Sequence, residues 1–227
     1  MIVAGACVLL ATRRLVGSEE HRLREVVFST SLASLGSLHA TIRAEGGTGA
    51  SPEMLLNHTG IPTISAIRAA REALDECGMS GKVSLVAAGG IRSGVDAAKC
   101  LALGADAVMI GNAAMIAIGC NSPRYLDDYA ALGTSPGACH HCHTGRCPVG
   151  VATQDPELEK RMNPHAGAER IARYLTAMTM EITLLAKACG KSSVHNLEVE
   201  DLRALSLEAS AFTGVKLAGI DRPFTWG

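Results

Sequence analysis

Between about residues 40 and 118 the apolar positions alternate between two patterns. Short unbroken runs end at glycines, and stretches with helical spacing lie between them. The clearest part runs from Val83 to Gly111. Val83, Leu85 and Val86 form an apolar run closed by Gly89-Gly90, which predicts a strand covered on both faces. Ala105 to Ile110 repeats the design and ends at Gly111. Between them Val95, Ala98, Leu101 and Ala102 recur at helical spacing, so this stretch is predicted to be a βαβ unit with a crossover helix. Upstream, Pro62-Thr63 opens a helix whose buried stripe is Ile64, Ile67 and Leu74, up to Gly78. Ala40 to Arg43 can form an earlier strand. The alternation is long enough for about three βα units, not the eight of a closed barrel.

Downstream the pattern becomes helical. Asn112 opens an apolar run to Ile118 that closes at Gly119-Cys120. A polar, Pro- and Gly-punctuated loop follows, with one helical turn expected over Tyr125 to Ala131. Asp155 to Arg161 begins a helical stretch. A long helix is expected from Glu169 to Gly190, with Ile171, Leu175, Met178, Ile182, Leu185 and Ala186 on one face. Met178 and Met180 read as core filling. Ser193 to Glu200 reads as a turn into a shorter helix, Asp201 to Ala211, and the stretch after Val215 as irregular. Residues 1–44 carry no clear period.

Composition narrows the classes. The chain has 227 residues, of which 48% are hydrophobic and 19% charged, enough apolar material for a sizeable core. Aromatic content is 3% and the net charge −1, with a pI near 6.7, so neither nucleic acid nor an anionic membrane is expected as a partner. The apolar start, MIVAGACVLLAT before Arg13-Arg14, is shorter than the roughly 20 residues a bilayer span needs. It also lacks the basic lead of a secretion signal. A cytoplasmic chain with reduced thiols is the expectation. Eight cysteines are too few for a disulfide scaffold at this length, and clustered ones then point to metal or catalysis.

Candidate chemistry sits in three places. The two glycine turns fall at the carboxyl ends of their strands, where close backbone approach and a helix start favour an anion; side by side they make a phosphate cradle. The loop EGGTGASP, residues 45–52, presents backbone N–H and hydroxyl groups on the same rim. Glu45 ends the strand before it and is a candidate base, with a solvated loop carboxylate as the alternative. Asn57 and His58 read as structural. The third place is CHHCHTGRCPVGVATQDP. Cys139, Cys142 and Cys147 lie close together, and Cys120 precedes them. A Cys-x-x-Cys pair lets two thiolates reach one centre, and Cys147-Pro148 is like the Cys-Pro endings of iron–sulfur loops. Backbone N–H groups around Gly145 and Gly150 are candidates to bond cluster sulfides. Zinc held by thiolates with His140, His141 or His143, and a redox dithiol at Cys139/Cys142, remain open on spacing alone. Cys7, Cys77, Cys100 and Cys189 read as buried small hydrophobes.

EGGTGASPE, LVAAGGIRSGVDAAKCLALGADAVMIGNAAMIAIGC and CHTGRCPVGVATQDP together resemble the FMN-binding domain of glutamate synthase. They are more similar still to smaller glutamate-synthase-related proteins, including a subunit of N-methylglutamate synthase. The resemblance covers residues 45–163 in detail and favours iron–sulfur over zinc. It implies an oxidoreductase in which FMN reduces a 2-imino acid, formed from a 2-oxo acid and ammonia, with electrons fed through the cluster. Gly46, Gly47, Thr48, Gly49 and Ser51 match the loop against the flavin. Gly89, Gly90, Ile91 and Arg92 match the first phosphate loop, and Gly111 and Asn112 the second, where the family often has Thr or Arg for Asn112. Cys120, Cys142 and Cys147 match the ligands of the family's [3Fe–4S] cluster. An insertion separates Cys120 from Cys142 and brings in Cys139, so a [4Fe–4S] cluster is an alternative.

The implied fold is α/β: the C-terminal part of a (β/α)8 TIM-type barrel, a cysteine-rich loop and a helical tail. Residues 1–44 do not match the family; 45–120 correspond to the second half of the barrel, 121–156 to the iron–sulfur loop and 157–227 to the tail. The implied partners are a glutamine amidotransferase-type subunit or domain and an electron donor such as ferredoxin or an NAD(P)H-linked subunit. The mismatch before residue 45 suggests a truncated chain, and with it a second expectation: a module that is inactive unless another chain completes the barrel.

Overall fold

The computed structural model describes residues 62–221. Glu45, Gly46, Gly47, Thr48, Gly49 and Ser51, the expectations for residues 1–44, and those for Asn57, His58 and Cys7 lie outside the described residues. Within them the fold is mixed α/β and dominated by helices. In chain order come α1 (Thr63–Glu76), β1 (Val86–Ala88), α2 (Gly94–Ala102), β2 (Ala107–Met109), α3 (Asn112–Ile118), α4 (Leu126–Ala131), α5 (Pro156–Glu159), α6 (Pro164–Ala188) and α7 (Leu207–Thr213). Short 3₁₀ turns lie between them, at Pro123–Tyr125, His141–Thr144, Val194–Asn196 and Val199–Asp201.

The βαβ unit is present. β1 and β2 pair in parallel, with Val86 opposite Ala107 and Ala88 opposite Met109. Both strands are shorter than the apolar runs predict, because polar groups take over the backbone before them. The Leu85 N–H donates to Asp106 Oδ2 at 2.7 Å, and the Leu85 carbonyl accepts from both Asp106 and Ala107. Ala105 is spent closing α2, its N–H donating to the Cys100 carbonyl. Arg71 of α1 then locks this corner, bonding the Gly104 carbonyl at 2.8 Å and Asp106 at 2.8 Å. The expected two-sided burial also fails: Ala87 is buried, but Val86 and Met109 are 43% and 42% exposed.

α2 lies between two layers. Ala97 and Cys100 face the core shared with Ile67, Ala70 and Leu74 of α1, Leu85 and Ala87. Ala98 and Ala102 face Ala186 of α6 and Leu197. Small side chains on both sides let the neighbours come close. Val95, predicted to be part of the buried stripe, is exposed instead. The helix start is fixed by a capping box, in which Ser93 Oγ accepts from the Asp96 N–H and the Asp96 carboxylate accepts from Ser93 N–H.

α6 starts earlier than expected because Asn163 Oδ1 accepts from the Ala166 N–H and Pro164 sits in the first turn. Met178 and Ala186 are buried as expected, whereas Leu175 and Met180 are exposed. Its threonines, Thr176, Thr179 and Thr183, bond the carbonyls four residues back. The predicted Asp201–Ala211 helix is replaced by a 3₁₀ turn and the shorter α7. Ala204 is drawn into a bridge with Leu217, its N–H donating to the Lys216 carbonyl, so the helix can begin only after Ser206, which caps it. Cys100 is buried as predicted, but Cys189 is exposed at the end of α6.

α6 and α2 meet at Gly94, which is buried. A Cβ there would overlap the Met178 carbonyl oxygen and stand 2.5 Å from Glu181 Cβ. Gly94→Ala is therefore expected to destabilise the fold by about 1–3 kcal/mol, the usual cost of overpacking. A lower urea midpoint at unchanged slope is the expected readout.

Candidate functional site

The parallel register brings the two glycine turns to one sheet end. Gly89 and Gly90 follow β1 with φ of 116° and 68°, a left-handed region that a side chain rarely adopts. Gly111 follows β2 with φ −119° and ψ −89° and precedes α3. Thr63 at the start of α1 donates to the Gly89 carbonyl at 3.3 Å, tying the first turn down. Ile91 does not offer its side chain to the rim: it is 5% exposed and packs in the core.

The expectation that the start of α2 favours an anion is corrected, because its N–H groups are already taken. The Arg92 and Ser93 N–H groups donate to Asp96 at 3.0 and 3.1 Å, and the Gly94 N–H donates to Glu181 of α6 at 2.7 Å. Two carboxylates already answer this helix start. The Arg92 carbonyl accepts from the Tyr174 hydroxyl of α6 at 2.7 Å. Asp96 is a local cap, whereas Glu181 and Tyr174 hold the turn from far along the sequence, where no local spacing reveals them. A ligand at this rim meets a loop whose shape is set before it arrives.

The second turn leads to the thiols through one short helix. α3 has seven residues, about 10 Å of rise, and Gly119 ends it with φ 107° so that Cys120 follows at once. The Arg170 guanidinium of α6 donates to the Ile118 carbonyl at 2.6 Å.

Cys120, Cys139, Cys142 and Cys147 line one cavity, together with Met115, Tyr129 and His141. Cys147 is buried and the other three are half-buried. Among the described residues no three His, Cys, Asp or Glu side chains converge closely enough to share a metal ion. Thiolates around one zinc would sit about 3.8 Å apart, from a Zn–S length near 2.3 Å. The four thiols line one cavity without that convergence. Burial, and then the charges of Cys142, Cys147 and Cys139, push the Cys120 thiol up to about 11. Burial, Cys147 and Cys139 also raise the Cys142 thiol, against a hydrogen bond from its own backbone. A cationic centre held here would have to draw off the Cys120 and Cys142 protons.

Two residues that hold this loop were not visible as motifs. Tyr129 of α4 is 1% exposed and donates to the Cys120 carbonyl at 2.6 Å. Arg161 bonds Asp128 at 2.9 Å and the Pro148 carbonyl at 2.8 Å, and its guanidinium lies 4.7 Å from the centre of the Tyr125 ring. The only local clue was the placing of Arg161 just after the cysteine loop. Gly150 turns with φ 77°, and a Cβ there would overlap the Leu158 carbonyl oxygen. Its N–H donates to the Cys147 carbonyl at 3.1 Å, so it is not free to bond a sulfide as the sequence suggested. His140 and His141 stack at 4.9 Å between ring centres, with His143 exposed beyond them.

A family model described as the conserved region in glutamate synthase matches residues 40–192. The chain is 53% identical over 175 residues to a glutamate synthase large subunit-like protein of Rhizobium meliloti (strain 1021), covering 77% of this chain and 40% of that protein. It is 41% identical over 179 residues to an archaeal glutamate synthase (NADPH) of Methanocaldococcus jannaschii, covering 77% of this chain and 32% of that one. A ferredoxin-dependent glutamate synthase of Cyanidium caldarium is 31% identical over 183 residues, 76% of this chain and 11% of its own length. The chain thus spans 40% or less of each of these relatives.

The raised Cys120 thiol gives a test of the apo site. Its proton is held more tightly folded than unfolded, so the stability it contributes is complete below the ordinary value of 9.0 and is lost as pH rises through about 11. Alkylation of Cys120 in metal-free protein is expected to be slow at pH 8 and to rise toward pH 11, followed by mass spectrometry of the labelled peptide. Arg161→Ala is expected to speed that labelling severalfold and to raise amide exchange at Cys147–Gly150.

Proposed function

The chain belongs to the glutamate synthase family, and we propose that it forms the part of such an enzyme that holds FMN beside an iron–sulfur cluster. One observation carries this reading: the parallel register places both glycine turns at one rim, and α3 runs from the second turn directly to the first thiol of the cavity.

The residues present are suited to both groups. Gly89 and Gly90 have the left-handed backbone that close approach to an anion needs, and Gly111 with Asn112 supplies a second bend beside them. The flavin phosphate is assigned to Gly89, Gly90, Ile91 and Arg92 and to Gly111 and Asn112. For Ile91 the backbone is the only part offered to the rim. Arg92 enters this assignment from the resemblance, and its N–H is taken by Asp96. Gly46, Gly47, Thr48, Gly49 and Ser51 are assigned to the flavin ring side, and Glu45 remains the candidate base. Cys120, Cys142 and Cys147 are assigned to the cluster. When bound, FMN supplies hydride transfer and the cluster supplies single electrons.

The chain's own part is to fix positions and exclude water. Tyr174 and Glu181 hold the first turn from the side of α6, so the phosphate site is formed in advance. Tyr129 and Arg161 close the cysteine loop over its cavity. Reduction of a 2-imino acid, made from a 2-oxo acid and ammonia, is the proposed reaction. A glutamine amidotransferase-type partner would supply the ammonia. The relatives' names point to NADPH or ferredoxin as the electron source, and the cytoplasm is the proposed compartment. Among the described residues no helix is long and apolar enough to cross a membrane.

A (β/α)8 barrel is the proposed setting, with residues 45–120 in its second half, 121–156 as the iron–sulfur loop and 157–227 as the tail. The exposure of Val86 and Met109 on a parallel pair supports it, since such strands are normally covered on both faces by the rest of a sheet and its helices. The same observation favours a second reading, in which further strands from another chain are needed before the module turns over.

Protein purified without oxygen is expected to show flavin bands and a broad iron–sulfur shoulder. Cys147→Ser is expected to bleach the shoulder and leave the flavin bands. Iron retained in that variant would overturn the ligand assignment, and colourless wild-type protein would favour the second reading.

A further inference from the structure

We infer that Cys139 is a fourth thiolate ligand in this cavity and that the resident cluster is therefore [4Fe–4S]. This rests on the proposed cluster site and departs from the three-thiol pattern that the resemblance implies.

The segment between Cys120 and Cys139 is folded, and its contacts return the chain to the cavity. Ser122 receives the Arg124 N–H and starts a 3₁₀ turn that runs into α4. On α4, buried Tyr129 donates to the carbonyl of Cys120 itself, and Asp128 is held by Arg161, which also grips the Pro148 carbonyl next to Cys147. The insertion is thereby fastened to the ligand at each end of the set. The chain then reverses, with the Gly133 and Thr134 N–H groups donating back to Ala130 and Tyr129. Thr134 Oγ1 donates to the Ala138 carbonyl at 3.0 Å, closing the turn one residue before Cys139. A loop of no consequence to the site would not deliver a thiol to the same wall as Cys120, Cys142 and Cys147.

The donor set points the same way. Four thiols line one cavity. A cubane cluster offers four iron corners to four thiolates, whereas a three-iron cluster leaves one thiol without iron. His141, also on the wall, is the rival fourth donor; its ring stacks on His140.

The test uses the full chain, reconstituted without oxygen with ferrous iron and sulfide, in wild type and in Cys139→Ala, His141→Ala and Cys142→Ala. Iron and sulfide are counted and the oxidised and dithionite-reduced forms are followed by electron paramagnetic resonance. The wild type is expected to hold about four irons per chain, silent when oxidised and paramagnetic when reduced. Cys139→Ala is expected to fall to about three irons with a signal now present in the oxidised form, His141→Ala to match wild type, and Cys142→Ala to lose the cluster. Three irons in wild type, with Cys139→Ala unchanged, overturn this inference and leave the cluster site standing. Conversion by His141→Ala and not Cys139→Ala overturns it in favour of the imidazole. No iron retained by the wild type removes both this inference and the proposed cluster site.

Discussion

The crossing of α6 over the start of α2 is the constraint on which the described fold depends. Gly94 admits the Met178 backbone where any side chain would block it, and Glu181 answers the amide thereby exposed. A hydrogen bond to a charged acceptor in a half-buried setting is stronger than a neutral one. It also stands where the helix dipole favours negative charge. With the small residues Ala98 and Ala102 continuing the contact toward Ala186, the two helices pack as a close pair. The segment after the first glycine turn is held from that pair at Arg92 and Gly94.

One helix thus serves both halves of the site. Its first turns receive Ile118 through Arg170 and Gly167, its middle holds the turn after β1 through Tyr174 and Glu181, and its end packs on α2. From Arg170 to Glu181 is about 16 Å of rise. The thiol cavity and the glycine rim are therefore referenced to the same rigid element, although residues from four separate stretches build them.

Much of this was legible in the sequence, for stated reasons. The βαβ order, the bounds of α3 and the left-handed close at Gly119 follow from apolar runs and glycine punctuation, which are local signals. The family followed from motifs with close spacing. What was missed depends on distant partners. The strands are shortened by Asp106 and Arg71, which only tertiary contact brings to Leu85 and Gly104. Leu175 was placed on the buried face of α6 by its spacing, but the neighbours it required are absent among the described residues on that side. Tyr129 had no motif because its partner is a main-chain carbonyl, and Arg161 because its partners, the Pro148 carbonyl, Asp128 and the Tyr125 ring, lie 13 or more residues away. The early start of α6 was readable from Asn163-Pro164, a cap and first-turn pair outweighed by the apolar period that begins later.

The folding of the insertion bears on what ligation at these thiols would cost. Where metal ligands lie on an unstructured loop, loading must also supply the entropy of closing that loop, and chelation and folding become one event. Here 3₁₀ turns, α4 and the Arg161 clamp have already drawn the ends together. Ligation at these thiols would thus be spared much of that closure entropy, because the Tyr129 and Arg161 contacts already carry it.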